Sequence, residues 1–405
     1  MSDARLFLFD DRRARRWAPF TLTRPVGELL FGCLTLRERA ELVFGVPCAG
    51  HLSRSRLRGF DEPEGASAIG LDDVGTWGTR ILLSSRTVPD FQPLSLPPGP
   101  ATITLASEVA GWILPDGAPL PSESWLRDPV HKRLQDDVVA LEGTVLGRPW
   151  DLVAENPDRI AADIAHLWPR DDTPADVFRI GDGAVSLGEG ASIEPGVHVD
   201  TRSGPVRLAD GVRVEGPARL TGPLFVGPAS TILGGVVGTS SFGPVCLVRG
   251  EVAHSVFLGF VNKAHDGHIG HALLGRWVNL GAFTTNSDLK NNYRPVRVWT
   301  PEGEEDTGLL KVGCFLGDHV KTGIGTVLNT GTVIGAGSNV FGGAMPPTVV
   351  PPFSWGIGSD LRDHRLAKLL ETAERAMARR DQALTPGMVR ILETAWDATA
   401  GRRDV

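Results

Sequence analysis

The sequence predicts an α/β domain up to about residue 168, then a left-handed parallel β-helix over 178–350 and a helical extension over 351–405. Three observations carry that reading. A short apolar run, a charged loop and an amphipathic segment open the chain. Aliphatic residues then recur every six positions, and Pro351-Pro352 ends the recurrence ahead of a helical pattern.

In the first domain, Leu6 to Phe9 reads as a buried first strand that ends in Asp10, Asp11 and an arginine cluster at Arg12, Arg13, Arg15 and Arg16. Glu28, Leu29 and Leu30 begin a segment reaching about Phe44, with Leu30, Leu34 and Leu36 on one helical face. A strand, a charged loop and a helix open an α/β unit, and the loop is where such units hold phosphate. Ile81 to Leu83 and Ala101 to Leu105 read as further strands, and Leu152 to His166 as a helix capped by Asp151.

The period of six places aliphatic residues at Leu187, Ile193, Val199, Leu208, Val214, Leu220, Val226 and Ile232. Its best run is Leu316, Thr322, Leu328, Ile334 and Val340. Neither the helical period of 3.6 nor the strand period of 2 supplies this spacing. A prism of short parallel strands does, with the aliphatic residue inside and a small residue at each corner. The period breaks between Leu258 and Ile269 and again between Asn286 and Leu310. Interruptions of a stacked solenoid project as loops, where binding residues collect. Beyond the prism, Leu361 to Ala383 reads as an amphipathic helix and Gly387 to Ala398 as a second, short helix after Pro386.

Composition narrows the partners. A net charge of -7 disfavours nucleic acid, which needs a basic face. The arginine cluster still suits a small phosphorylated ligand. Cys33, Cys48, Cys246 and Cys314 have no metal-ligand spacing and fit reduced thiols. No signal-peptide core and no membrane-length apolar run stand in the sequence, so a cytoplasmic protein without membrane contact is expected.

Particular residues then resemble a family. Pro19 to Pro25, PFTLTRP, resembles the P-L-T-x-x-x-P-K signature of sugar-phosphate nucleotidyltransferases, which join a nucleoside triphosphate to a sugar 1-phosphate. Gly147 to Asn156, GRPWDLVAEN, resembles their closing motif G-R-P-W-D-L-L-x-x-N. The resemblance implies nucleotide and phosphate contacts from Asp10, Arg13, Arg16, Thr21 and Arg24, and sugar contacts from Trp150, Asp151 and Asn156. It also implies Mg2+ as cofactor, for which Asp10 and Asp11 are the available ligands. The family's glycine-rich loop is absent, its signature lysine is Val26, and a frequent magnesium-ligand position is Val145. On the plainer reading, Trp150 and Asp151 only close the domain.

His265 to Ala282 resembles the acetyltransferase domain of bifunctional N-acetylglucosamine-1-phosphate uridyltransferases, with its pattern H-x-x-Y-L-G-x-x-x-I-G-x-x-V-N-I-G-A-G-T. It implies His265 as general base, Asn279, Asn286, Lys290 and Tyr293 as sugar contacts, and Ala282 beside the thioester of acetyl-CoA. His268 stands where that family has tyrosine, while His254 and His271 read as structural. Over roughly residues 5 to 358 the chain resembles the GlmU-like sugar nucleotidyltransferase group, and hexapeptide-repeat prisms of this kind imply a homotrimer.

The expected function is nucleotidyl transfer to a sugar 1-phosphate, together with acetyl-CoA-dependent acetylation of an amino sugar at the β-helix, for cell-envelope precursors. One alternative is a catalytically degraded protein that binds sugar nucleotides or acts as a scaffold. Another is a zinc hydrolyase of the gamma carbonic anhydrase type, prompted by His254, His265, His268 and His271. Against it, residues three apart on a strand point to opposite faces.

Overall fold

The computed structural model describes residues 3–130, 132–134 and 137–402. Seven strands form the sheet of the first domain, in the order Asp137–Leu141, Ala101–Leu105, Glu108–Leu114, Arg80–Ser84, Arg5–Phe9, Cys48–Leu52, Ala68–Ile69. Glu108–Leu114 runs antiparallel to both neighbours, and the other pairings are parallel. Leu6 and Leu8 enter one apolar core and Phe7 and Phe9 the other, so the central strand is apolar at consecutive positions.

The helix expected from Glu28 begins only at Leu36 and runs Leu36–Phe44. Leu30–Phe31 and Leu34–Thr35 instead form a small hairpin turned at Gly32, whose φ is +68°. A Cβ at Gly32 would lie 2.3 Å from Asp163 Oδ2. Thr35 Oγ1 accepts from the Glu38 amide at 3.1 Å and the Glu38 carboxylate accepts from the Thr35 amide at 2.8 Å. This reciprocal cap starts the helix at Leu36, about two turns later than expected. The expected helix from Leu152 is likewise two pieces, Asp151–Ala154 and Asn156–Leu167.

The prism is as the period predicts. Leu316 pairs with Ile334 and Thr322 with Val340 in parallel register, so one coil is three hexads. Val199, Leu208, Val214, Leu220, Val226, Ile232, Leu316, Ile334 and Val340 are fully buried in one continuous axial core. These columns and the parallel pairing make the left-handed parallel β-helix. The coils continue past residue 350. Ser354–Ile357 adds another parallel strand and Asp360–Asp363 folds back antiparallel to close the end. The helix expected from Leu361 therefore occupies Leu366–Ala378, and Pro386–Ala398 forms the last helix, capped by Thr385 Oγ1.

One corner of the prism carries a left-handed residue on successive coils: Ala229, Val245, Phe260, Trp277, His319, Gly337 and Phe353, all with φ between 54° and 71°. Side chains other than glycine are costly there, and packing offsets that cost. The rings of Phe260 and Trp277 stack at 4.2 Å. Met377 and Met388 of the terminal helices cover them, and Leu369 and Leu392 cover Phe353.

The first domain lies along one face of the prism. Val256, Leu273, Phe315 and Val333 share a buried cluster with Trp17, Phe20, Leu29 and Phe31. Their strand neighbours Phe257, Leu274, Leu316 and Ile334 point inward to the axis. Polar contacts fix the placement. Ser241 Oγ donates to Gly32 O at 2.6 Å and Asn156 Nδ2 donates to Ser241 Oγ at 3.0 Å. Arg24 Nε reaches Asp318 Oδ2 at 3.0 Å, and Arg24 Nη2 reaches Glu62 Oε1 at 2.8 Å. Arg276 Nη1 meets Glu62 Oε2 at 2.8 Å, and Thr23 Oγ1 donates to Asp318 Oδ2 at 2.7 Å.

Breaking this buried network leaves an uncompensated charge. Arg24→Met is expected to destabilise the chain by about 3 kcal/mol or more. Restoring charge balance in Arg24→Met/Asp318→Leu recovers part of the loss, as measured by denaturant unfolding.

Candidate functional site

Strands Arg5–Phe9 and Cys48–Leu52 are parallel neighbours, so the loops that follow them leave the same edge of the sheet. At that edge lies a cleft of about 570 Å3, lined by Arg12, Arg15, Arg16, Ser53, Arg54, Ser55, Arg56, Glu123, Arg127 and Ala398. Crevices at the carboxyl ends of strands are where open α/β sheets take ligands. Six arginines against Glu123 make the crevice strongly positive, and Glu123 is itself paired to Arg127 at 2.9 Å. Main-chain carbonyls brace three of the arginines. Arg15 Nε donates to Asp10 O at 2.8 Å, Arg54 Nη2 to Arg15 O at 2.5 Å and Arg56 Nη2 to Thr21 O at 3.0 Å. Burial lowers the Arg15 pKa, Asp10 opposes that, and Arg127 reinforces it.

Asp10 and Asp11 stand at the head of this edge, but both are buried. Asp10 accepts from Ser85 Oγ at 2.6 Å through one oxygen and from Ser53 Oγ through the other. Asp11 takes a forked ion pair from Arg86, with Nη2 to Oδ2 at 2.6 Å, and accepts from the Ala14 amide at 2.8 Å. Every carboxylate oxygen thus has a protein partner, and Arg86 already supplies the countercharge. As placed, the pair does not fit a magnesium ion. Among the described residues no group of three or more His, Cys, Asp or Glu side chains is arranged to hold a metal.

Of the other sequence-predicted residues, Arg16 lines the cleft. Arg13 lines a neighbouring cavity with Arg16 and Arg148. Thr21 is buried with its hydroxyl donating to Arg15 O at 3.3 Å. Arg24 is a correction: it sits between Asp318 and Glu62 in the domain interface and faces no open site. Burial works against its charge, yet those two carboxylates leave its pKa raised. In the closing motif, Trp150 is buried in the interdomain core. Asp151 Oδ2 accepts from the amides of Gly147 and Arg148 at 2.7 and 2.8 Å. Asn156 Oδ1 accepts from the Gly32 amide at 2.8 Å. That motif holds the domain together and joins it to the prism.

On the β-helix, His265 is exposed and its ring has no bonding partner among the described residues. Its backbone is held from below. Lys263, in register with Val248, is buried and donates to Arg249 O at 2.8 Å and to His265 O. Burial pushes the Lys263 pKa down to about 8. Asn279 Oδ1 accepts from Asn262 Nδ2 at 2.6 Å. Ala282 is half-buried at a corner, its carbonyl accepting from the Gly325 amide at 2.8 Å. Asn286 is buried and bonds both backbone groups of Gly270 at 2.9 Å, stitching two coils. Lys290 Nζ donates to Pro295 O at 3.0 Å, and Tyr293 is exposed on the same loop.

The histidines expected to diverge do meet. His271 Nδ1 lies 2.7 Å from Asp288 Oδ2 and His268 Nε2 lies 4.0 Å from the same oxygen. The strand His268–Gly270 ends at a corner where His271 has φ +48°, so strand alternation no longer governs their directions. His254 stacks on His271 at 4.7 Å.

Residues 6–170 match a family model described as sugar nucleotidyl transferase. That match falls on the first domain, inside its seven-stranded sheet and the helices that follow. A bifunctional sugar-1-phosphate nucleotidylyltransferase/acetyltransferase of Sulfurisphaera tokodaii is 32% identical over 95 residues, 24% of either chain. A bifunctional protein GlmU of Methanococcus maripaludis is 31% identical over 88 residues, 22% of this chain and 21% of the relative. The chain spans less than a quarter of each of these relatives in those matches. An Arabidopsis UDP-N-acetylglucosamine acyltransferase structure covers 58% of this chain and 98% of its own at 13% identity, with a TM-score of 0.25, too low to bear on the fold. No helix of the described residues is long and apolar enough to cross a membrane.

Sequence reasoning missed Arg54, Arg56 and Arg127. The alternating run Ser53-Arg54-Ser55-Arg56 directly after an apolar strand was the available signal for the first two. Arg127 enters from a distant five-residue helix, and no local pattern announces it.

Burial lowers the pKa of His254 to about 4, with His271 and Lys311 adding to the effect. It likewise lowers His319 to about 4, where the neighbouring Lys321 adds to it. Below pH 6.5 the unfolded chain takes up these protons and the folded chain does not, so stability falls as pH drops from 6.5 toward 4. His319→Phe is expected to flatten that fall, measured as the urea midpoint between pH 7.5 and 4.5.

Proposed function

We propose that the arginine cleft holds the phosphates of a nucleoside triphosphate and that the first domain transfers its nucleotidyl group to a sugar 1-phosphate. The phosphate oxygen of the sugar 1-phosphate attacks the α-phosphorus. The bond from that phosphorus to the oxygen bridging it to the β-phosphorus breaks, and the β- and γ-phosphates leave as pyrophosphate. The nucleophile is already an anion, so the reaction needs no base. It needs alignment and positive charge where negative charge accumulates. The observation that carries the reading is the six-arginine lining at the carboxyl edge of the parallel strands, inside the segment matched by the family model. Guanidinium groups bind phosphate oxygens in pairs. Mg2+ enters this proposal only as the counter-ion that the nucleotide brings.

Acetyl-CoA-dependent acetylation of an amino sugar at the β-helix is the second part of the proposal. It rests on the resemblance at His265 to Ala282 and on one observation, an exposed His265 ring above a backbone pinned by Lys263. An imidazole at that place can serve as the general base toward an amine acceptor. A homotrimer, a cytoplasmic setting and a role in cell-envelope precursors belong to the same proposal. The zinc alternative finds no three-ligand cluster among the described residues and gains no support.

Pyrophosphate release from a panel of nucleoside triphosphates and sugar 1-phosphates tests the first part. Arg12→Gln and Arg56→Gln are each expected to lower kcat/KM about tenfold or more, from the loss of one charged contact. Nucleotide binding without pyrophosphate release in any combination would favour the binding-protein alternative. Absence of binding would remove the proposal.

A further inference from the structure

The hairpin inserted between coils, Arg297–Thr300 with Gly303–Asp306, leans against the arginine loop of the first domain. Between them is a cavity of about 80 Å3, lined in part by Arg13, Arg16, Arg148 and Trp299. Arg16 lines this cavity and the main cleft alike, so the two adjoin. The hairpin base is fixed, because Val296 and Val298 are buried in the interdomain core. Its turn and returning strand are acidic and are held by charge. Glu302 pairs with Arg16, and Glu305 Oε2 accepts from Arg148 Nε at 2.5 Å. The guanidinium of Arg13 has no partner among the described residues.

We propose that this cavity is a second phosphoryl subsite, contiguous with the arginine cleft, and that the hairpin's carboxylates Glu302 and Glu305 occupy it in the absence of ligand. The proposal rests on the reading that the cleft takes a phosphorylated ligand. Three arginines converge on a space suited to one tetrahedral anion, and two of them are engaged by carboxylates from another domain. These pairs are 28–45% exposed on their side chains. Ion pairs exposed to that extent contribute little to stability, so a ligand with several negative charges displaces them without disturbing the buried hairpin base. Trp299 at the cavity wall offers a flat apolar face beside the anion. The outcome is competition: phosphate entry frees the hairpin tip, and the tip weakens phosphate binding.

Inorganic pyrophosphate titrated calorimetrically into the full-length chain tests this. Glu302→Gln/Glu305→Gln is expected to bind at least about threefold more tightly than the parent, a change of the size that exposed ion pairs provide. Adding Arg148→Gln to that variant is expected to abolish the gain, and retention of the gain would mean that it reflects overall charge and not this subsite. If Glu302→Gln/Glu305→Gln binds no more tightly while Arg56→Gln, which lines only the main cleft, weakens binding, the subsite is wrong and the cleft stands. If neither the parent nor any variant binds pyrophosphate, both readings fall. Thermal melts of each variant verify that folding is retained.

Discussion

The buried charges of Arg24, Glu62 and Asp318, joined by the half-buried Arg276, fix where the first domain sits on the prism, and each site depends on that placement. Apolar contact between Trp17, Phe20 and the outward face of the coils supplies the attraction. Attraction of that kind is non-directional. The guanidinium forks of Arg24 and the hydroxyl of Thr23 accept only one arrangement of the two carboxylates. Buried ion pairs are weak evidence for stability, and here their effect is to set orientation. The same orientation carries Arg16 to Glu302, Arg148 to Glu305 and Ala398 to the rim of the arginine cleft.

The first domain solves its electrostatic problem with arginine. The edge lacks a glycine-rich loop, and its two aspartates are consumed by Ser53, Ser85 and Arg86. Positive charge comes from the loops 12–16 and 53–57, braced by the carbonyls of Asp10, Arg15 and Thr21. Such a cradle is preorganised, so the phosphate binding proposed for it would entail little reorganisation. The histidine, lysine and asparagine residues that interrupt the prism divide into two groups. Asn286, Asp288 and His271 tie coils to one another, whereas His265 stands exposed.

Much of the fold was legible. The six-residue period located the inward columns because an aliphatic side chain must fill the axis of every coil, and Leu208, Val226, Leu316 and Ile334 all do. The pairs Val256-Phe257, Leu273-Leu274 and Val333-Ile334 held an unread signal of a face covered on both sides, since consecutive apolar residues on a strand point both ways. What covers it was not legible, because that depends on contacts between distant segments. The boundary errors have local causes. A turn at Gly32 and the cap at Thr35 took residues from one expected helix, and the closing strand Asp360–Asp363 took residues from another. Arg24 was misread because a motif match reports residue type, whereas its partners Glu62 and Asp318 come from elsewhere in the chain. The meeting of His268 and His271 at Asp288 depended on a corner whose position the broken period concealed.

The most direct measurement is amide hydrogen exchange of the full-length chain with and without a nucleoside triphosphate. Phosphate held by the arginine cradle predicts slowed exchange concentrated in residues 10–16 and 53–57, with the axial strands unchanged. Unaltered exchange in both loops at saturating nucleotide, or protection confined to the β-helix, would contradict a nucleotide site in the first domain.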